Sequence, residues 1–155
     1  MNRASDGSKR PRNAPDPSGS AVGDLDGDGR LDVVVSALAE PAEIWLNDSP
    51  VKHHWLELKL VGTTSNRDGI GAAIKVTSKH QVQYNHMTTA AGYASSSAGP
   101  VHFGLGADDM AGLIEIRWPS GTVQRLTGVK CDRVLEVREP AHPKTAASAA
   151  GKASK

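Results

Sequence analysis

The chain has 155 residues, 38% of them hydrophobic but only 4% aromatic, and its 18 basic and 17 acidic side chains leave a formal charge of +1. This length suits one domain or two very small ones, with a core built on Val, Leu and Ile rather than the deep cleft of a large enzyme. The near-neutral balance offers no electrostatic footprint for nucleic acid or anionic membrane, and a single cysteine, Cys131, excludes an intrachain disulfide.

Residues 1–20 are polar and rich in Ser, Pro, Arg and Asn, a composition expected to stay disordered. They lack the apolar stretch of a signal peptide, and no apolar run along the chain reaches membrane-spanning length, so no membrane insertion is expected. Next comes Asp24-Leu25-Asp26-Gly27-Asp28-Gly29-Arg30-Leu31-Asp32. Calcium is a hard cation that takes six to eight oxygens, and carboxylates at alternate positions of a tight loop converge on it. Asp24, Asp26, Asp28 and Asp32 stand at the first, third, fifth and ninth positions, with the backbone carbonyl of Arg30 at the seventh. Asp and Gly are also ordinary turn residues, but four aspartates this close would repel one another without a cation. The loop is not an EF-hand, whose twelfth position is a bidentate Glu leading into a helix. Here that position is Val35, inside the strand-favouring run Val33-Val34-Val35. Without that ligand an affinity of about 10⁻⁴–10⁻³ M is expected, matched to calcium levels outside cells.

The middle of the chain reads as short strands between turns. Leu31–Ala37 is β-branched, and Glu43–Leu46 follows a turn at Pro41. Trp55–Val61 alternates, with Leu56, Leu58 and Leu60 on one face and Trp55, Glu57, Lys59 and Val61 on the other. Further strands are expected at 71–78, 81–89, 101–105, 113–118, 122–126 and 134–137, a spacing that points to a sandwich or barrel. Trp118-Pro119-Ser120-Gly121-Thr122 reads as a type I turn with a G1 bulge, pairing Ile114-Glu115-Ile116 with Val123-Gln124-Arg125. The Ala, Ser and Lys tail over 140–155 is expected to be disordered.

Two stretches resemble known families. "VGDLDGDGRLDVVV" with the closing "EIWLND", within residues 21–50, resembles an FG-GAP or VCBS-type repeat, a calcium-binding blade of integrin-like β-propellers. By that resemblance Asp24, Asp26, Asp28 and Asp32 take the side-chain ligand positions and Arg30 the main-chain one. "HHWLELKLVGTTSNRDGIGAAIKV", "HFGLG" and "IEIRWPSGTVQRL", within residues 53–138, resemble the ASPIC/UnbV domain of the cartilage acidic protein-like family. The resemblance implies an all-β chain, with a partial propeller blade followed by a small sandwich-like domain. It also implies an extracellular or periplasmic setting. One blade cannot bury its own sheet faces, so upstream propeller repeats of a longer parent are expected, this chain being its C-terminal piece.

Other candidate chemistry has a plainer account. Gly69-Ile70-Gly71 begins like a dinucleotide fingerprint, but the third glycine position is Ile74, and the context is loop then strand. His53, His54, His80, His86, His102 and His142 show no zinc spacing. Ser95-Ser96-Ser97 reads as a flexible loop rather than a nucleophile, and Asp108-Asp109 as a polar turn. Trp45, Trp55 and Trp118 suit packing better than a sugar-stacking platform, and Asn47-Asp48-Ser49 has the form of a glycosylation acceptor. The expected function is a non-catalytic, calcium-binding extracellular module for a matrix protein or glycan. The alternatives are an accessory domain of a carbohydrate-active or other exported enzyme, and a scaffolding cap on a larger propeller.

Overall fold

A computed structural model of the chain describes residues 17–37, 40–50, 53–90, 92, 95–97 and 99–141. These form ten strands and no helix, and hence no helix long and apolar enough to cross a membrane. The described residues fall into two compact units, one containing those up to His53 together with those of Thr88–Gly99, and the other the remainder.

The first unit is an antiparallel sheet of β1 (Pro17–Gly23), β2 (Asp32–Ala37) and β3 (Glu40–Trp45), with β2 in the centre. Val22, Val33 and Trp45 lie in one rung and Ala21, Val34 and Ile44 in the next, so both faces carry apolar side chains. Val22, Ile44 and Trp45 are exposed. The free edge of β1 is partly capped by hydroxyls: Ser20 N donates to Ser95 Oγ at 2.9 Å and Val22 N to Ser97 Oγ at 3.4 Å. Two expectations are corrected here. The strand β1 begins at Pro17, inside the segment read as disordered, because β2 supplies a ladder that composition cannot reveal. No turn interrupts the chain at Pro41, which lies within β3. There β3 takes three steps against two on β2 between the Val35–Glu43 and Ala37–Glu40 pairs, and an edge strand tolerates a missing N–H at such an irregularity. The remaining residues expected to be disordered, 1–16 and 142–155, lie outside the described residues.

The second unit is a sandwich of two sheets. One has the order β10 (Arg133–Arg138), β4 (His54–Val61), β7 (Val101–Gly106). The other has the order β6 (Val82–His86), β5 (Ala73–Ser78), β8 (Met110–Arg117), β9 (Val123–Lys130). All pairs are antiparallel except β4 with β10. Alternation decides the inner faces: Leu56, Leu58, Leu60, Phe103 and Leu105 from one sheet meet Ile74, Val76, Ile114 and Ile116 from the other. Trp118, at the end of β8, is the largest buried side chain, and its indole N–H donates to Gln124 Oε1 at 2.9 Å. The turn at 118–122 pairs its flanks as expected, with Ile116 opposite Gln124, Glu115 opposite Arg125, and Gly121 at φ 89°.

Two buried carboxylates tie the sandwich's loops together. Glu139 follows β10, is 2% exposed, and accepts N–H bonds from Thr63, Thr64 and Ser65 at 2.8–2.9 Å. It also accepts the hydroxyls of Ser65 and Ser120. Burial disfavours its charge, but the hydrogen bonds from Ser120, Ser65, Thr63 and Thr64 outweigh burial and hold its carboxyl at about 2. Asp108, in the turn between β7 and β8, accepts Ser78 Oγ at 2.6 Å and His80 N at 3.0 Å, and its Oδ1 lies 2.5 Å from His80 Nδ1. The Ser78 hydroxyl first, then the bonds from His80, hold it at about 2 against a burial effect of opposite sign.

Both carboxyls titrate lower in the fold than in the unfolded chain. Their stabilisation is therefore complete above the ordinary values of 3.8 and 4.5 and is lost as pH falls towards 2. Acid titration followed by circular dichroism should show the β signal of the sandwich weakening across that window, with a shallower slope in Glu139→Gln. At neutral pH Glu139→Ala, which removes the acceptor of three part-buried N–H groups, should cost about 2 kcal/mol and lower Tm by roughly 10 °C. An unchanged melt would show that these bonds stabilise nothing.

Candidate metal centre

The acidic loop joins β1 to β2, and its own side chains shape it. Asp24 Oδ1 accepts the N–H groups of Gly27 at 2.8 Å and Asp28 at 3.1 Å, and Asp24 Oδ2 accepts that of Gly29 at 2.8 Å. Asp26 Oδ1 accepts Asp28 N, and Asp28 Oδ1 accepts Arg30 N at 2.9 Å. Gly27 and Gly29 have φ of 78° and 87°, a backbone state that an L side chain resists and that this wrapping requires. Carboxylate oxygens of Asp24, Asp26 and Asp28 come within 4.8 Å of one another. Two oxygens on opposite sides of a calcium ion lie roughly 4.6–5.2 Å apart, so the three fit one coordination sphere. The donors are all hard oxygens, which suits calcium over zinc or copper.

Asp32 and Arg30 have further duties. Asp32, the first residue of β2, is 2% exposed; its Oδ2 accepts Leu25 N at 2.9 Å and its Oδ1 accepts Asn47 N at 2.8 Å. That carboxylate fastens the start of the loop and the segment after β3 to the head of β2. Each of its oxygens keeps a second lone pair. The Arg30 guanidinium pairs with Asp28 and donates from Nε to Asn47 O at 2.5 Å. Asn47 thus takes part through its backbone, and no local pattern around the acidic loop announces a residue fifteen positions beyond Asp32.

The other candidates resolve into structural roles. Gly69 packs where an added Cβ would stand 2.8 Å from Leu60 Cβ and 3.2 Å from the Trp118 ring, and Ala72 N donates back to Gly69 O. This is a close-packed turn into β5. Ser96 Oγ donates to Thr89 O, while Ser95 and Ser97 serve β1, so all three serines bond backbone. The His54 ring lies 2.7 Å from Asp132 Oδ2, and the His102 ring stacks on Trp55 with centroids 6.3 Å apart. Trp118 packs in the core, whereas Trp45 is exposed and donates to Glu43. Burial, then the charges of Asp132 and Asp109, push the Cys131 thiol up to about 11, far from a nucleophilic thiolate at neutral pH.

A family model described as ASPIC and UnbV matches residues 62–144, and one described as FG-GAP repeat matches residues 17–47. The chain is 29% identical over 129 residues to cartilage acidic protein 1 of Xenopus tropicalis, covering 79% of this chain and 20% of that protein. The mouse and human proteins of the same name are each 28% identical over 129 residues, with 79% of this chain covered and 20% and 19% of theirs. The chain therefore spans about a fifth of the length of the curated relatives it matches.

The two kinds of aspartate in the loop should separate experimentally. In EDTA, Asp32→Ala should speed amide exchange at Leu25 and Asn47 at least roughly tenfold, because its carboxylate receives both N–H groups. Asp26→Ala should leave those two amides unchanged, as read by hydrogen-exchange NMR. Equal exchange in both variants would refute the fastening role of Asp32.

Proposed function

Since the chain belongs to the ASPIC and UnbV family and carries an FG-GAP repeat ahead of that domain, we propose that it is a non-catalytic, calcium-stabilised extracellular binding module. The convergence of Asp24, Asp26 and Asp28 on the β1–β2 loop carries this proposal. Asp32 and the Arg30 carbonyl complete the ligand set, at the ninth and seventh positions of the loop. A bound cation would neutralise the crowded carboxylates and fix the loop at the head of β2. An affinity of about 10⁻⁴–10⁻³ M keeps the site filled outside cells or in the periplasm. The dispersal of the histidines, the backbone duties of the serines and the high thiol pKa support a role in binding rather than catalysis.

A scaffolding role within a longer parent is supported by a separate observation. Both faces of the β1–β2–β3 sheet present apolar side chains, with Val22, Ile44 and Trp45 each half exposed or more. A sheet of this kind is complete when like sheets cover it, as blades do in a propeller. Further FG-GAP repeats of a longer parent are the proposed cover, and a matrix protein or glycan is the proposed external partner.

Calcium at 10 mM should raise the Tm of the FG-GAP unit by roughly 5–10 °C over EDTA. Asp26→Ala should abolish that rise, and His86→Ala, on the exposed edge strand β6, should retain it. An equal calcium response in both variants, or no heat of calcium binding in calorimetry of the folded chain, would overturn the assignment.

A further inference from the structure

The outer face of the four-stranded sheet, opposite the core, is concave at one place. Ala73 on β5 is exposed and small, and its ladder neighbours are His86 on β6 and Arg117 on β8. Two rungs along, and so on the same face, Tyr84, Lys75, Glu115 and Arg125 follow one another across all four strands. The short side chain at 73 among long ones leaves an open dish of about 340 Å³, lined by Lys75, Tyr84, Glu115, Arg117, Val123 and Arg125. Such a volume falls at the low end of ligand cavities, which run to roughly 300–1,000 Å³.

The lining has a definite chemistry. Glu115 is shared, with Arg125 Nε 3.0 Å from Oε1 and Lys75 Nζ 3.3 Å from Oε2. Hydrogen bonds from Arg125 and then Lys75 hold its carboxyl below the usual range, so it is charged at neutral pH. Three cations against this one carboxylate leave a net charge of two positive units. Arg117 is exposed and has no carboxylate or hydrogen-bond partner among the described residues, so all five of its donors are free. Tyr84 is 75% exposed, and Lys75 Nζ lies 6.0 Å from its ring centroid.

We infer that this dish binds an acidic polysaccharide whose sugar rings carry carboxylates. The inference deepens, and rests on, the binding-module function proposed above. The guanidinium of Arg117, unpaired among the described residues, presents a planar fork suited to a carboxylate, and Lys75 and Arg125 add charge around it. Tyr84 offers a rigid, amphipathic face on which a sugar ring packs its C–H groups while its hydroxyls stay wet. A peptide adding to a sheet needs the free backbone of an edge. The dish lies instead over β5 and β8, whose backbones are paired on both sides, so side chains alone remain to recognise a ligand. An open dish on an exposed face admits a polymer that continues past it at both ends.

Calorimetry of the whole chain in calcium buffer, with hyaluronan hexasaccharide as probe, tests the inference. The hexasaccharide should bind and maltohexaose should not, separating charge-matched recognition from generic sugar stacking. Arg117→Ala and Tyr84→Ala should each weaken binding at least roughly tenfold with unaltered melting temperatures, whereas Arg133→Ala on the other sheet should bind like the parent chain. Binding of hexaglutamate as tight as that of hyaluronan, unaffected by Tyr84→Ala, would overturn the inference in favour of an acidic peptide. Failure of hyaluronan to bind, or binding that survives both variants, would also overturn it. The calcium-dependent rise in Tm, read on the same samples, keeps the two proposals apart. If it persists without glycan binding, the dish assignment alone falls; if it is absent, the calcium assignment falls.

Discussion

Where the described residues form strands and no helix, many turn and loop N–H groups have no ladder to receive them, and leaving them buried and unpaired is costly. In this protein the side chains that receive them are repeatedly carboxylates. Asp24 takes three N–H groups of its own loop, Asp32 takes one from the start of that loop and one from the segment after β3, and Glu139 takes three from the loop after β4. Asp108 takes a hydroxyl from the last residue of β5 and one N–H from the turn after it. A carboxylate suits the task because it accepts several bonds at once, and each is strengthened by charge.

The same device yields different functions in the two units. In the sandwich, Glu139 and Asp108 are buried among groups that use their oxygens for bonds within the fold, and they act as clamps. In the acidic loop, Asp24, Asp26 and Asp28 bond the backbone and yet bring carboxylate oxygens within 4.8 Å of one another. Asp32 fastens that loop at the head of β2 by accepting Leu25 N and Asn47 N. The electrostatics of the outer sheet face run the other way. There a single carboxylate, Glu115, is outnumbered by cations, and the imbalance is directed at solvent.

Much of this was legible in the residues. The alternate spacing of four aspartates with glycines between them marks the loop, and the β-branched run after it excludes a helix. The Leu56, Leu58, Leu60 alternation identifies the buried face of β4, and Trp-Pro-Ser-Gly-Thr announces the hairpin whose register the structure shows. These are local signals, carried by period, turn chemistry or ligand spacing within about ten residues. The first strand was hidden, because Pro17–Gly23 has weak β propensity and is held by its partner β2.

The sequence by itself determined the all-β class, the acidic loop and the inner face of the sandwich, since each depends on residues near one another along the chain. Only the tertiary structure decided that Glu139 meets Thr63, Thr64 and Ser65, that Asp32 receives Asn47, and that Ser95 and Ser97 cap the edge of β1. It also decided that Lys75, Tyr84, Arg117 and Arg125 surround Ala73. Those groups come from four strands whose order, β6-β5-β8-β9, differs from their order in the chain. Burial in a shared core sets that pairing, so which polar groups meet at the surface is a consequence of apolar packing on the opposite face.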